Sequence, residues 1–242
     1  LMVNYGDMYN RGVEISLNSK NYVSRDFSWS TNVYFSYNKN KMTRIENPQT
    51  DAIYYIQKPQ IRINQPMNSL YSVRWAGLDG TGAPQAFKKD GTIVKSFSDL
   101  KLEDLVYSGI TTPPYAASMS NSFDYKNFDM SFLLTYYGGH VMRGAKAIYL
   151  VGTAYATNPD KLTGNFWQKA GDENDASMAP AFKQGARANM KNIWEAADTH
   201  IQKADYVKLK SLVIGYSIPS HMLKKSHISN ANIAIQMTNI WY

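Results

Sequence analysis

The sequence predicts an all-β fold, made of antiparallel strands that cross a membrane as part of a barrel. Three observations carry that expectation. Short segments alternate apolar with small polar residues, the polar members are uncharged, and Tyr, Trp and Phe gather near the segment ends. The clearest segment is Phe27 to Tyr37, FSWSTNVYFSY. Its odd positions are apolar or aromatic apart from Thr31, and its even positions are Ser or Asn apart from Tyr34. A period of two sends the two classes to opposite faces of a strand. A strand with hydrocarbon on one side and water on the other needs that division.

Taken in order, Val13, Ile15 and Leu17 alternate with Glu14, Ser16 and Asn18 and give a first strand. A tight turn around Ser24-Arg25-Asp26 leads into the Phe27 strand, which runs on to Lys41. Residues 43–65 are polar and interrupted by Pro48 and Pro59, so they are expected to form a loop. Leu70 to Trp75 is expected as a third strand, ended by Gly77 and Gly80-Thr81-Gly82. A hairpin follows at 118–136, turning at Tyr125-Lys126-Asn127-Phe128. Residues 138–204 alternate little and form a long connection, with short helices expected near Lys183–Ala197. Strand character returns at Tyr206–Ile218, with a phase slip at Lys210-Ser211 that predicts a bulge. It returns again where Ala231, Ile233, Ile235 and Met237 alternate with polar residues.

The connections divide into short and long. Tight turns near residues 24 and 126 contrast with long excursions after Tyr37, Trp75 and Tyr137, as periplasmic turns and extracellular loops do in outer-membrane barrels. Two turns on one side require an even number of crossings between them. With the Leu70 strand counted as a crossing, parity calls for one more strand within residues 83–114.

Composition narrows the classes. No apolar run approaches the ~20 residues of a membrane helix, although a strand crosses in ~9–11. The absence of cysteine excludes disulfides and thiolate metal sites. A net charge of +7 is spread over strand ends and loops, with no stripe suited to nucleic acid. Leu1-Met2-Val3-Asn4 lacks the regions of a signal peptide, so a mature or partial chain is expected.

Motifs for chemistry are absent. His140, His200, His221 and His227 lack metal-ligand spacing, so no metal or other cofactor is expected. Asp172-Glu173-Asn174-Asp175 starts like a calcium loop, but Ala176 and Ser177 break the pattern. Gly80-Thr81-Gly82 lacks the third glycine of a dinucleotide site, and Ser120 and Ser122 lie mid-strand without a nucleophile elbow. The expectation is therefore not an enzyme. Within the long connection, Trp167, Trp194, Tyr149 and Tyr155 suit stacking on a sugar or a ligand side chain, or packing of the loop onto itself.

Several stretches in sequence order resemble SusC/RagA-type TonB-dependent outer-membrane transporters. They are Asn10 to Glu14 (NRGVE), Phe27 to Lys41, Tyr71 to Gln85 (YSVRWAGLDGTGAPQ), Leu105 to Tyr115 (LVYSGITTPPY), Tyr125 to Met130 (YKNFDM), Gly171-Asp172-Glu173, Asp205 to Pro219 (DYVKLKSLVIGYSIP) and Asn239-Ile240. The resemblance implies that residues 1–242 belong to one barrel domain of ~22 strands, with 138–204 as an extracellular loop. An N-terminal plug and the segment that contacts TonB would lie outside this chain, as would a final strand beyond Trp241-Tyr242. It further implies the outer membrane of a Gram-negative bacterium, a SusD-like surface lipoprotein as partner, and oligosaccharides or peptides as substrate.

On the apolar-outward rule, Phe27, Trp29, Val33, Phe35, Met130, Phe132, Leu134, Ile233 and Ile235 face lipid. Ser28, Ser30, Asn32, Ser131, Asn232 and Gln236 face the lumen. Two alternatives use the same alternation. One is a soluble or surface-attached β-sandwich that binds glycans through its Tyr and Trp residues. The other is a non-transporting barrel such as an adhesin.

Overall fold

The computed structural model describes residues 6–57, 61–144, 166–181, 190–224 and 228–241. Among the described residues the strands form one large sheet and three small ones, and the registered strand pairs are antiparallel. The residues form two compact units. One comprises Leu1–Tyr9, Asn40–Thr112 and His140–Ala204; the other comprises Asn10–Lys39, Pro113–Gly139 and Asp205–Tyr242.

The large sheet has six strands. They are β1 (Gly6–Val23), β2 (Phe27–Ile45), β8 (Tyr115–Tyr125), β9 (Phe128–Gly138), β12 (Tyr206–Ser217) and β13 (Asn232–Trp241), in the spatial order β1-β2-β8-β9-β12-β13. Each strand meets the next in up-and-down fashion. Two tight turns, at 24–26 and 126–127, lie at one end of the sheet, where β12 also ends, and their backbones are joined to each other and to that strand end. Lys126 N–H donates to Asp26 C=O and Ser217 N–H to Asn127 C=O, both at 2.8 Å. The hairpin of β8 and β9 closes on Lys126, whose φ of 53° is the left-handed conformation that such a turn requires. The predicted slip in β12 is present: the register against both β9 and β13 shifts between Leu209 and Ser211. The added residue, Lys210, is what moves the alternation out of phase.

The expectation of a membrane-crossing strand at Leu70 to Trp75 is corrected. That run is broken at Val73 into β3 (Ser69–Ser72) and β4 (Arg74–Leu78), neither of which belongs to the large sheet. β3 pairs with β7 (Val106–Ile110), and β4 with β5 (Pro84–Phe87) and β6 (Ile93–Val94). The parity argument is corrected with it. β2 lies directly beside β8, so the two crossings between the tight turns are those strands alone, and the number is already even. Burial gives the physical reason. Ser69, Tyr71, Ser72 and Val73 are all enclosed, so both faces of this run are interior, unlike a strand with lipid on one side.

The core belongs to the first unit. Tyr71, Val73, Ala86, Val94, Phe97, Leu100, Leu105, Ile193 and Ala196 pack with Ala52 and Tyr55 of the short helix α1 (Ala52–Gln57). Within the expected loop 43–65, α1 starts where Asp51 Oδ1 accepts the Ile53 N–H at 3.1 Å. Residues 138–204 add the strand pair β10 (Val141–Arg143) and β11 (Ile201–Lys203), and a five-residue π-turn at Met190–Trp194.

Candidate functional site

In the large sheet the pairing sorts the side chains into two faces, because residues directly opposite one another share a face. One set of rows runs Phe27–Tyr125–Phe128–Tyr216–Ile233, then Trp29–Phe123–Met130–Ile214–Ile235, then Thr31–Asn121–Phe132–Leu212–Met237. It continues through Val33–Met119–Leu134–Leu209 and Phe35–Ala117–Tyr136–Val207. All nine residues assigned to lipid in the sequence lie on this one face.

The other face carries Ser28–Asp124–Asp129, Ser30–Ser122–Ser131–Val213–Gln236 and Asn32–Ser120–Leu133–Ser211–Thr238. Asn232 opposite Ser217 extends it. The six residues assigned to the lumen share this face. Leu133 and Val213 interrupt its polarity. Ser28 Oγ donates to Asp124 at 2.6 Å. Asp129 lies over Gly215 so closely that a Cβ there would collide with its carboxylate. Gly215, with no side chain of its own, thus makes room for Asp129.

Aromatic rings mark both ends of the apolar face. Phe27, Tyr125, Phe128 and Tyr216 form a row at the short-turn end, with the Phe128 and Tyr216 centroids 4.6 Å apart. Tyr37 and Tyr115 stack at 4.9 Å toward the other end. The step from Phe27 to Tyr37 is ~33 Å along the strand. At the ~40° tilt of a barrel strand that is about 25 Å in height, matching the apolar band of a membrane barrel between its aromatic girdles.

The apolar face contains one polar ladder. Asn21 Nδ2 donates to Thr31 Oγ1 at 2.6 Å, and Thr31 Oγ1 donates to Asn121 Oδ1 at 2.6 Å. Trp29 Nε1 donates to the same Asn121 oxygen at 2.9 Å, and Asn121 is buried. These contacts explain Thr31, the exception in the alternation.

Two of the four aromatic ligand candidates lie in described residues. Trp167 is half-buried; its Nε1 donates to Glu173 Oε2 at 2.9 Å, and its ring packs against Gly82. Trp194 is 5% exposed and sits edge-on to Trp75 and His200 at centroid distances of 5.1 and 4.3 Å. Its ring is enclosed by protein in this conformation. Tyr149 and Tyr155 lie outside the described residues.

The acidic stretch at 172–175 turns its carboxylates onto its own chain. Asp172 Oδ2 accepts the N–H groups of Gln168 and Lys169, and Glu173 Oε2 accepts the Gly171 N–H. The Asp172 carboxyl is held below the usual range by these backbone donors, and Glu173 is held down by the Trp167 indole. Among the described residues no cluster of His, Asp and Glu fits a metal ion.

No sequence pattern marks Arg143. Its guanidinium donates to Glu195 C=O at 2.7 Å and Tyr71 C=O at 2.9 Å, tying β3 to the end of the π-turn. Burial lowers its pKa from the ordinary arginine value, although Glu195 opposes the shift.

The sheet is of the transmembrane β-barrel class: antiparallel, up-and-down, apolar on one face and polar on the other. Comparison with known proteins carries this to a type. No family model matches the chain. TonB-dependent receptor P3 of Formosa agariphila is 26% identical over 98% of the chain and 24% of its own length. TonB-dependent receptor SusC of Bacteroides thetaiotaomicron is 22% identical over 88% of the chain and 21% of its own. The RagAB peptide importer in its open-open state superposes with a TM-score of 0.73 at 20% identity, over 98% of the chain and 25% of that one. The resemblance to SusC/RagA-type TonB-dependent transporters therefore holds in sequence and in fold. The chain spans about a quarter of the length of these relatives. Their names are those of receptors and an importer, not of enzymes.

Proposed function

We propose that this chain forms part of the wall of an outer-membrane TonB-dependent transporter in a Gram-negative bacterium. The transporter imports oligosaccharides or peptides across that membrane with a SusD-like lipoprotein as partner and TonB as the source of energy. The observation that carries the reading is the two-faced register of the large sheet. Rows headed by Phe27, Trp29, Val33 and Phe35 meet lipid, and rows headed by Ser28, Ser30 and Asn32 line a hydrated lumen. The similarity to TonB-dependent receptors supports energy coupling, and the likeness to a peptide importer supports a peptide among the substrates.

Among the described residues β1 and β13 are the end strands of the large sheet. An open edge is untenable in hydrocarbon, so on this reading further strands complete the wall, ~22 in all. Together with the unit that holds Trp167, the extracellular connection 138–204 would face substrate or the lipoprotein.

The test is fractionation of the native full-length protein, followed by heat-modifiability on a denaturing gel and intact mass. A detergent-requiring outer-membrane species much heavier than 27.4 kDa is expected. A water-soluble species of about that mass would overturn the reading and favour a glycan-binding sandwich.

A further inference from the structure

We propose that the short-turn end of the sheet is a binding site for anionic phospholipid headgroups. The inference rests on the barrel reading, in which short turns lie on the periplasmic side. Three connections leave the sheet there, and the Lys126–Asp26 and Ser217–Asn127 backbone bonds join the first turn to the second and the second to the end of β12. Each carries an exposed cation: Arg25 in the first, Lys126 in the second, and Lys224 after the short helix α2 (Ser220–Leu223) in the third.

Directly beside them runs the aromatic row of the apolar face. Tyr125 is 52% exposed and Phe128 56% exposed, and the Lys126 ammonium lies 5.3 Å from the Tyr125 ring centroid. Met222 on α2 is 66% exposed. Exposed rings and a thioether rimmed by cations match a headgroup boundary, with apolar groups toward acyl chains and charge toward phosphate.

The acids at this end are arranged differently. Asp124 and Asp129 lie on the polar face by register, away from the aromatic row. Asp26 alone among the turn residues opposes the cations, leaving the rim net positive. A free anion would need no such apolar surround, so the surface fits a lipid rather than soluble phosphate.

The experiment uses the full-length transporter in nanodiscs of phosphatidylethanolamine and phosphatidylglycerol. Native mass spectrometry reads the ratio of the two lipids retained after partial delipidation. Phosphatidylglycerol should be enriched, with enrichment falling about fivefold for each charge removed in Arg25→Gln, Lys126→Asn and Lys224→Gln. Asn is chosen at 126 because it tolerates the positive φ. Lys208→Gln, on the polar face, should leave enrichment unchanged. Raising ionic strength on the unaltered protein should also reduce it, a readout that needs no variant to fold. Retention at the bulk lipid ratio, enrichment indifferent to salt, or complete displacement by inorganic phosphate would each overturn the proposal. Heat-modifiability of the same samples separates these outcomes from failure of the barrel reading itself.

Discussion

The Trp29 indole donates to the Asn121 carboxamide oxygen at 2.9 Å, across the β2–β8 pair and within the apolar face. The same oxygen takes the Thr31 hydroxyl at 2.6 Å. If that face meets hydrocarbon, as proposed, neither donor has water as an alternative, so Asn121 serves two groups at once. Replacing it strands both. Asn121→Leu should destabilise the barrel by ~1–3 kcal/mol, read as a lowered midpoint of heat-modifiability in the full-length protein. Trp29→Phe in the same background should recover part of the loss, because one stranded donor goes with it. Strictly additive effects would show that the pair is not coupled.

The facing assignment has its own test. Phe132 and Ser131 are neighbours in β9 on opposite faces. Phe132→Arg should cost ~2–4 kcal/mol if that face meets the bilayer near its middle. Ser131→Arg, on the polar face, should fold and change only what passes the lumen. Equal damage from the two, measured by folding yield into lipid vesicles, would reverse or abolish the assignment.

How much of this was legible in the sequence depended on whether a strand has two unlike faces. Phe27 to Tyr37 and the hairpin around Lys126 could be placed because alternation and turn chemistry agree there. The slip at Lys210 was visible because a bulge breaks the phase of apolar residues. Leu70 to Trp75 was misplaced as a crossing because its pattern also suits a short strand buried on both sides, as Tyr71 and Val73 are. Thr31 stood out as an exception, yet its partner Asn121 lies 90 residues away and only pairing reveals it. Trp194 carries the same letter whether it stacks on a ligand or fills a core, and its 5% exposure is a tertiary outcome. Arg143 likewise acts through two carbonyls, Glu195 and Tyr71, that no side-chain pattern records.

Gly82 offers a test of the packing around Trp167. Its φ is +74°, and an added Cβ would lie 2.6 Å from both the Ala181 Cβ and the Trp167 ring. Gly82→Ala should therefore carry two costs, ~1–2 kcal/mol of left-handed strain and a further displacement of Trp167 from Glu173. Gly91 provides the control, with φ +88° and open space around it. Gly91→Ala should show the strain alone. Limited proteolysis of the 166–181 segment should accelerate in the first variant and stay near the unaltered rate in the second. Matching rates would mean that the close approach of Gly82 to Trp167 contributes nothing.

Tyr71 gives a pH dependence whose direction follows from its surroundings. Burial pushes its phenol from 10.0 up to about 12, against the opposing pull of the Arg62 guanidinium. The folded chain thus holds this proton more tightly than the unfolded chain does. A raised pKa contributes stability that is fully present below the unfolded value and is lost as pH rises through the folded one. The loss should fall between pH 10.0 and about 12. Tyr71→Phe removes the ionisable group while keeping the ring that meets Tyr55 edge-on at 5.3 Å. The unaltered full-length protein should therefore lose more stability across that window than the variant, with a tyrosinate absorbance step of matching midpoint absent from the variant. Parallel stability curves for the two proteins from neutral pH to pH 12 would show that Tyr71 ionises as freely in the folded chain as in the unfolded one, and would rule out its burial as the source of the alkaline loss.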